Sequence, residues 1–201
     1  VNGFAGVDFG DAALSSESVL EAVATIGKTG VTRLLPTLVT SSIETFSACA
    51  RTIARTSHPA IAGIHMEGPY LSPEDGPRGA HPRAFVRGAD VDDFRRRQEA
   101  ADGRIRLLTV APEAPRVLKV IEHAVGSGVR VAIGHTGATP AQIADAVGAG
   151  ATLSTHLGNG CPLQMHRHDN VIQRVLSLAD KLWICFIAEA SSIFWSAVIS
   201  A

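Results

Sequence analysis

The sequence predicts an α/β fold, a partial (β/α)8 barrel in which short parallel strands alternate with helices along one globular unit. Three observations carry this expectation. Apolar, β-branched segments alternate with segments of helical periodicity, the pattern of repeated βα units. Conspicuous polar residues recur where those strands end, the face on which a (β/α)8 barrel places its chemistry. At 201 residues, 46% hydrophobic and 18% charged, the chain has apolar material for one sizeable core and far too much for a disordered tail. No linker, low-complexity tract or sequence repeat divides it.

Taken in order, Ser16 to Thr29 carries apolar residues at Val19, Leu20, Val23 and Ile26, a helical spacing, and Gly30 supplies a stop. Thr32 to Leu38 reads as a buried strand, Ile43 to Arg55 as a helix capped by Ser41 or Ser42, and Ala60 to His65 as the next strand. A Pro- and Gly-rich excursion runs from Pro69 to Arg87. Asp90 to Ala101 is then a polar helix, Ile105 to Ala111 a strand ending at Pro112-Glu113, and Arg116 to Ser127 a helix. Val129 to Ile133 is a strand terminated by Gly134-His135-Thr136. Pro140 to Gly148 is helical, with Thr139 as N-cap and Pro140 at the first helical position, and Ala151 to Ser154 is a strand ended by Thr155-His156.

Composition removes several functional classes. The net charge of -1 and pI near 6.8, with Lys and Arg scattered, give no basic stripe for nucleic acid. The three cysteines, Cys49, Cys161 and Cys185, are odd in number and widely spaced, which speaks against a disulfide framework or a Cys-rich zinc site and for a reducing cytoplasm. The longest apolar runs, such as Leu182 to Ala188, fall far short of the roughly 20 residues of a membrane span, so no membrane partner is expected. The opening Val1-Asn2-Gly3-Phe4-Ala5-Gly6 lacks an initiator methionine, and Ile193 to Ala201 stops in an apolar stretch; both ends read as cut.

A hydrolytic metal site needs three nitrogen or oxygen ligands and an open position for water, and strands fanning around a barrel can aim such ligands at one point. Glu67, His135 and His156 meet that need at the ends of different strands. His65, on the same side of its strand as Glu67 by the period of two, is the best rival ligand. His58 and His123 read as surface residues, Arg95-Arg96-Arg97 as a solvated helix face, Glu113 as a structural hydrogen-bonding group, and Cys161 as no nucleophile.

The motifs His65-Met66-Glu67-Gly68-Pro69, Gly79-Ala80-His81, Ala111-Pro112-Glu113, Gly134-His135-Thr136 and Thr155-His156-Leu157, joined by Gly30-Val31-Thr32 and Pro36-Thr37-Leu38, stand in an order that resembles the N-acetylglucosamine-6-phosphate deacetylases of the amidohydrolase superfamily. The resemblance covers nearly the whole chain. It implies a metal-dependent-hydrolase barrel and a divalent metal, usually zinc, on Glu67, His135 and His156. It implies that His81, with the backbone of Ala80, contacts the sugar or the amide carbonyl, that Asn159 and Gly160 hold the sugar phosphate, and that Arg167 binds phosphate, sometimes across a homodimer. Gly158-Asn159-Gly160-Cys161 stands where relatives more often have Phe-Asn-Ala-Met, which leaves the sugar open. The substrate expected is a small amino-sugar phosphate, whose acetamide the parent enzyme hydrolyses to acetate and an amine. Another N-acyl sugar, a cyclic amide, or an inactive remnant are the competing expectations.

By the same resemblance, the first and last barrel strands and the small β-sandwich are missing, and the general-base aspartate is expected beyond the chain end, so little or no turnover is expected of the isolated chain. Residues 1–188 are expected to be the partial catalytic barrel and 189–201 an aberrant segment: Ala188-Glu189-Ala190-Ser191-Ser192-Ile193-Phe194 stands where relatives read Ala-Asp-Gly-His-His-Leu. Suitable codons for Glu-Ala-Ser-Ser-Ile-Phe contain His-His-Leu-Ser in a shifted frame, which suggests a frameshift near Glu189.

Overall fold

Five of the six described helices are started by a side chain that satisfies orphan amides of the first turn. In the computed structural model, which describes residues 1–187, Ser15 and Ser18 form a reciprocal capping box ahead of α1 (Ser16–Gly27), and Ser42 caps α2 (Ile43–Arg55). Asp90 caps α3 (Val91–Ala100), and Asn170 caps α6 (Val171–Leu176). Thr139 and Gln142 close a capping box on α5 (Pro140–Gly148), whose bounds are those the sequence predicts. Only α4 (Val117–Gly126) starts without a side-chain cap, from Arg116 in the left-handed region.

The helices bury one stripe each, as the periodicity requires: Val19, Ala22, Val23 and Ile26 on α1, and Phe46, Cys49, Ala50 and Ile53 on α2. Leu20, counted with the α1 stripe from sequence, is exposed instead. Those stripes cover a parallel sheet of β3 (Thr37–Val39), β4 (Ile64–Glu67), β5 (Ile105–Val110), β6 (Arg130–Ile133), β7 (Leu153–Ser154) and β8 (Trp183–Ile184). The spatial order of these strands is their chain order, and every neighbouring pair is parallel. An antiparallel pair, β1 (Gly3–Phe4) with β2 (Val7–Asp8), precedes them. Among the described residues, no helix is long and apolar enough to cross a membrane.

Strands are shorter than the sequence predicts, and the reasons are local. Pro36 has no amide hydrogen, so the expected strand over 32–38 shrinks to β3 plus an isolated bridge between Leu34 and Ile61. The strand expected over 60–65 begins at Ile64 and runs to Glu67, which puts the carboxylate on its last residue. The β1–β2 hairpin, α6 and β8 are elements the periodicity does not reveal. The expected aberrant segment, 189–201, lies outside the described residues.

Arg97 corrects the expectation of a solvated arginine face. Arg95 and Arg96 are exposed, but Arg97 is 1% exposed, and its Nε donates to Asp93 Oδ2 at 2.9 Å. The cause is helical geometry: Asp93 and Arg97 are four residues apart, on the face of α3 that packs toward α2. The guanidinium lies 4.9 Å from the centroid of the Phe46 ring, and the Tyr70 hydroxyl donates to the same Asp93 oxygen at 2.8 Å. Burial favours a protonated Asp93, yet the bond and charge of Arg97 prevail and hold its pKa below the ordinary carboxylate value.

Removing one member of this buried pair strands the other. Asp93→Ala is expected to cost about 3–5 kcal/mol at neutral pH, read as a lower urea midpoint. Because the folded pKa of Asp93 is depressed, its stabilisation is present above the ordinary carboxylate pKa of about 3.9 and lost as pH falls through that range, so the variant should show a flatter acid limb. An unchanged midpoint would show the pair to be energetically idle.

Candidate metal centre

Sheet register brings two histidines to equivalent places. Ile133 on β6 pairs with Ser154 on β7, and each strand continues two residues to a histidine, His135 and His156. Both leave the extended conformation there, with φ of 52° and 31°. A non-glycine residue in the left-handed region costs on the order of 1–2 kcal/mol, a strain that concentrates at functional sites. The turn aims both rings back over the end of β4, where Glu67 waits. His135 Nε2 lies 3.1 Å and His156 Nε2 2.7 Å from the same oxygen, Oε1 of Glu67.

Glycines permit this convergence at two places. Gly68 follows Glu67 with φ +80°, and a Cβ there would collide with Thr40 Oγ1. Gly160 lies flat against the His135 ring, where a Cβ would stand 2.6 Å from Nδ1. An alanine at this place would therefore require the ring or the 158–161 turn to shift.

The hydrogen bonds fix which ring nitrogens face the cavity. His135 Nδ1 donates to the Pro77 carbonyl at 2.9 Å, which leaves Nε2 directed at Glu67. His156 Nδ1 is buried without a partner. His81 Nδ1 lies 2.8 Å from Thr40 Oγ1 and 3.4 Å from the Thr40 backbone amide, and its Nε2 lies 3.2 Å from His135 Nε2. His81, expected to contact the sugar or the amide carbonyl, is thus buried beside the Glu67, His135 and His156 cluster.

Burial works against the Glu67 carboxylate, but hydrogen bonds from His135 and His156 outweigh it and hold the group well below the usual range. The same contact raises His156 against its own burial. Burial lowers His81 to about 4, with His135 adding to the effect, and lowers His65 to about 4.

His65 is no ligand in this geometry. Its Nδ1 lies 3.1 Å from Thr37 Oγ1 and its Nε2 2.8 Å from Thr109 Oγ1, which in turn is 2.8 Å from Thr155 Oγ1. Both nitrogens are spent on a polar chain across the cavity floor. The threonines of this chain, in particular Thr109 and Thr155, carry no motif a sequence reading would single out.

Among the described residues, Glu67, His135 and His156 form a three-member cluster whose ligand atoms all lie within 4.8 Å of one another. The donor set suits a divalent transition metal: tetrahedral zinc with bonds of about 2.0–2.2 Å separates its ligands by roughly 3.3 Å, a few tenths more than the two distances here. The cluster opens into a cavity of about 540 Å³ lined also by Gly79, Ala80, His81 and Asn159. Glu67 is the single carboxylate among its described lining residues, and no aspartate, lysine or arginine joins it. Ala80 and Asn159 are exposed at the opening, and Gly160 packs on His135 behind it. Arg167 is exposed and lies outside the cavity lining.

No family model matches the chain. It is 37% identical over 192 residues to the N-acetylglucosamine-6-phosphate deacetylase of Bos taurus, covering 90% of this chain and 45% of that protein. It is 32% identical over 196 residues to the N-acetylgalactosamine-6-phosphate deacetylase of Escherichia coli O157:H7, covering 94% and 50%. The fold matches, with a TM-score of 0.88 and 30% identity, a mutant N-acetyl-D-glucosamine-6-phosphate deacetylase from Mycobacterium smegmatis in complex with N-acetyl-D-glucosamine-6-phosphate, covering 100% of this chain and 52% of that one. The chain spans about half the length of the curated relatives it matches.

The polar floor has a measurable worth. Thr109→Val removes the partner of His65 Nε2 and the link to Thr155 at near-constant volume, leaving buried polar atoms unpaired. A loss of about 1–3 kcal/mol in urea unfolding is expected. A loss below about 0.5 kcal/mol would mean that water replaces the threonine there.

Proposed function

The chain belongs to the N-acetylglucosamine-6-phosphate deacetylase family of the amidohydrolase superfamily, and from that premise we propose that the protein hydrolyses the acetamide of N-acetylglucosamine 6-phosphate, yielding acetate and glucosamine 6-phosphate. The observation that carries this reading is the convergence of Glu67, His135 and His156 on one point, with His81 Nε2 beside it, 3.2 Å from His135 Nε2. In this reading the sheet of β3 to β8 is an arc of a (β/α)8 barrel, and the site lies at the carboxyl ends of its strands.

Glu67, His135 and His156 hold a divalent ion, zinc by the nature of the donor set. When bound, such an ion polarises the amide carbonyl and brings the pKa of water from 15.7 toward about 7. His81, anchored through Nδ1 by Thr40, presents Nε2–H to the acetamide oxygen as a neutral donor. The floor of His65, Thr109 and Thr155 fixes the ends of β4 and β5 beneath the ligands. The backbone of Ala80 and the exposed Asn159 meet the sugar at the mouth, and Gly160 belongs to the turn that faces its phosphate. Arg167, exposed and off the cavity, serves the phosphate of a neighbouring subunit in a homodimer.

N-acetylgalactosamine 6-phosphate is the second reading, favoured by the match to the Escherichia coli relative. The two substrates differ only in the orientation of one hydroxyl, so competition between them separates the readings.

Isothermal titration with zinc is expected to show one ion per chain, and Glu67→Ala, His135→Ala or His156→Ala should each weaken binding by about 100-fold or more. The zinc-loaded chain should bind N-acetylglucosamine 6-phosphate at least about tenfold more tightly than the unphosphorylated sugar. Zinc affinity that survives the loss of Glu67 sinks the metal assignment, and equal affinity for the two sugars sinks the phosphate. Acetate release by this chain alone should be slight, because no aspartate among the described residues lines the cavity to take the water's proton; fast release would assign that role to another group.

A further inference from the structure

Glu113 stands behind the cluster, in the loop that leaves β5, and its carboxylate is committed wholly to the turn that carries His135. Its Oε1 accepts from the Gly137 amide at 2.9 Å, and its Oε2 accepts a very short bond from the Thr136 hydroxyl. That hydroxyl in turn accepts from the Ala138 amide at 2.9 Å. One carboxylate therefore pins three successive residues directly after His135. Among the described residues it makes no ion pair.

We propose that Glu113 is a positioning residue for His135, holding its backbone in the left-handed conformation and thereby setting the metal affinity of the site; this rests on the metal reading given above. His135 has φ of 52°, a conformation that persists only where surrounding contacts over-determine it. Apart from the bond of the ring to Glu67 itself, the other restraints are neutral: the Ser72 amide donates to the His135 carbonyl at 3.2 Å, Thr136 N donates to Gly160 O at 3.1 Å, and the ring donates to Pro77. Bonds to an ionised carboxylate are about twice as strong as such neutral bonds. Glu113 is thus the strongest tie on the turn, and it joins the end of β5 to the end of β6.

His156 supplies the contrast. It occupies the equivalent place on β7, yet its turn is held by backbone bonds, Leu157 N to Cys185 O at 2.8 Å and Asn159 N to His156 O at 2.9 Å. Loss of Glu113 should therefore loosen one ligand of the triad and leave the other two.

The test uses the full chain and the metals alone. Zinc affinity is measured by competition with a chromophoric chelator, coordination by the visible spectrum of the Co²⁺-loaded protein, and metal-free stability by urea unfolding. Glu113→Ala is expected to weaken zinc binding 10–100-fold and to reduce and shift the cobalt bands. Thr136→Val should do the same to a lesser degree, while Thr136→Ser, which keeps the hydroxyl, should restore affinity to within about twofold of the native chain. Wild-type zinc affinity and cobalt spectrum in Glu113→Ala, with only the metal-free unfolding midpoint lowered, would reduce Glu113 to a structural role and overturn the proposal. Should Glu113→Ala fail to fold, the Thr136 pair decides: equal affinities for Val and Ser overturn it. A native chain that binds no metal overturns the metal reading and this inference together, whereas a metal-binding native chain with indifferent variants overturns this inference alone.

Discussion

The site depends on a single buried carboxylate. Glu67 ends β4 largely buried, where an ionised group is costly unless its charge is met by hydrogen bonds. Two imidazoles meet it through one oxygen, at 2.7 and 3.1 Å. Both come from strands whose pairing sets them in equivalent places, and both reach it only by turning the chain left-handed. The strand register, the glycines at 68 and 160 and the Pro77 carbonyl all serve that one geometric demand. A one-residue slip of β6 against β7 would send one ring to the opposite face and leave Glu67 half-paired.

Four buried or half-buried histidines crowd this end of the sheet, and hydrogen bonding sorts them by role. His65 spends both nitrogens on threonines and keeps none for a ligand. His81 spends one, on Thr40, and turns the other toward the cavity. His135 gives one to Pro77 and directs the other at Glu67, while His156 reaches Glu67 with an unpaired nitrogen behind it. The low pKa of His65 and His81, about 4, is a burial effect that keeps both rings neutral near pH 7.

The clustering of Glu67, His135 and His156 was legible because each stands at the end of an apolar strand segment, and strand-end logic needs only the alternation to place them. Helix starts were legible for the same local reason: Thr139-Pro140 with Gln142 announces a capping box before any packing is known. What sequence could not show depends on contacts between distant segments. Arg97 looks like its solvated neighbours until α3 is laid against α2 and Asp93 and Phe46 close over it. Thr109 and Thr155 look like ordinary strand residues until the sheet sets them 2.8 Å apart. Glu113 was readable as a hydrogen-bonding group, but its partners lie on the next βα unit. Strand lengths failed where proline and glycine interrupt the ladder, as at Pro36 and Gly63.

Charge sets the remaining constraint on the substrate. Among the described residues the cavity lining carries one carboxylate and no lysine or arginine, so no side chain of fixed positive charge is there to attract an anion. A divalent ion held as proposed would supply that charge, since the imidazoles must be neutral to ligate and the carboxylate cancels only half of the ion's charge. Under the proposed function such an ion would do more than act on the amide: it would make the mouth receptive to a phosphorylated sugar. Backbone amides and Asn159 can orient such a group but carry no net charge to draw it in. On the proposed function, metal occupancy and substrate affinity would therefore be coupled through the same Glu67 carboxylate, and the groups that hold His135 and His156 in place would govern both.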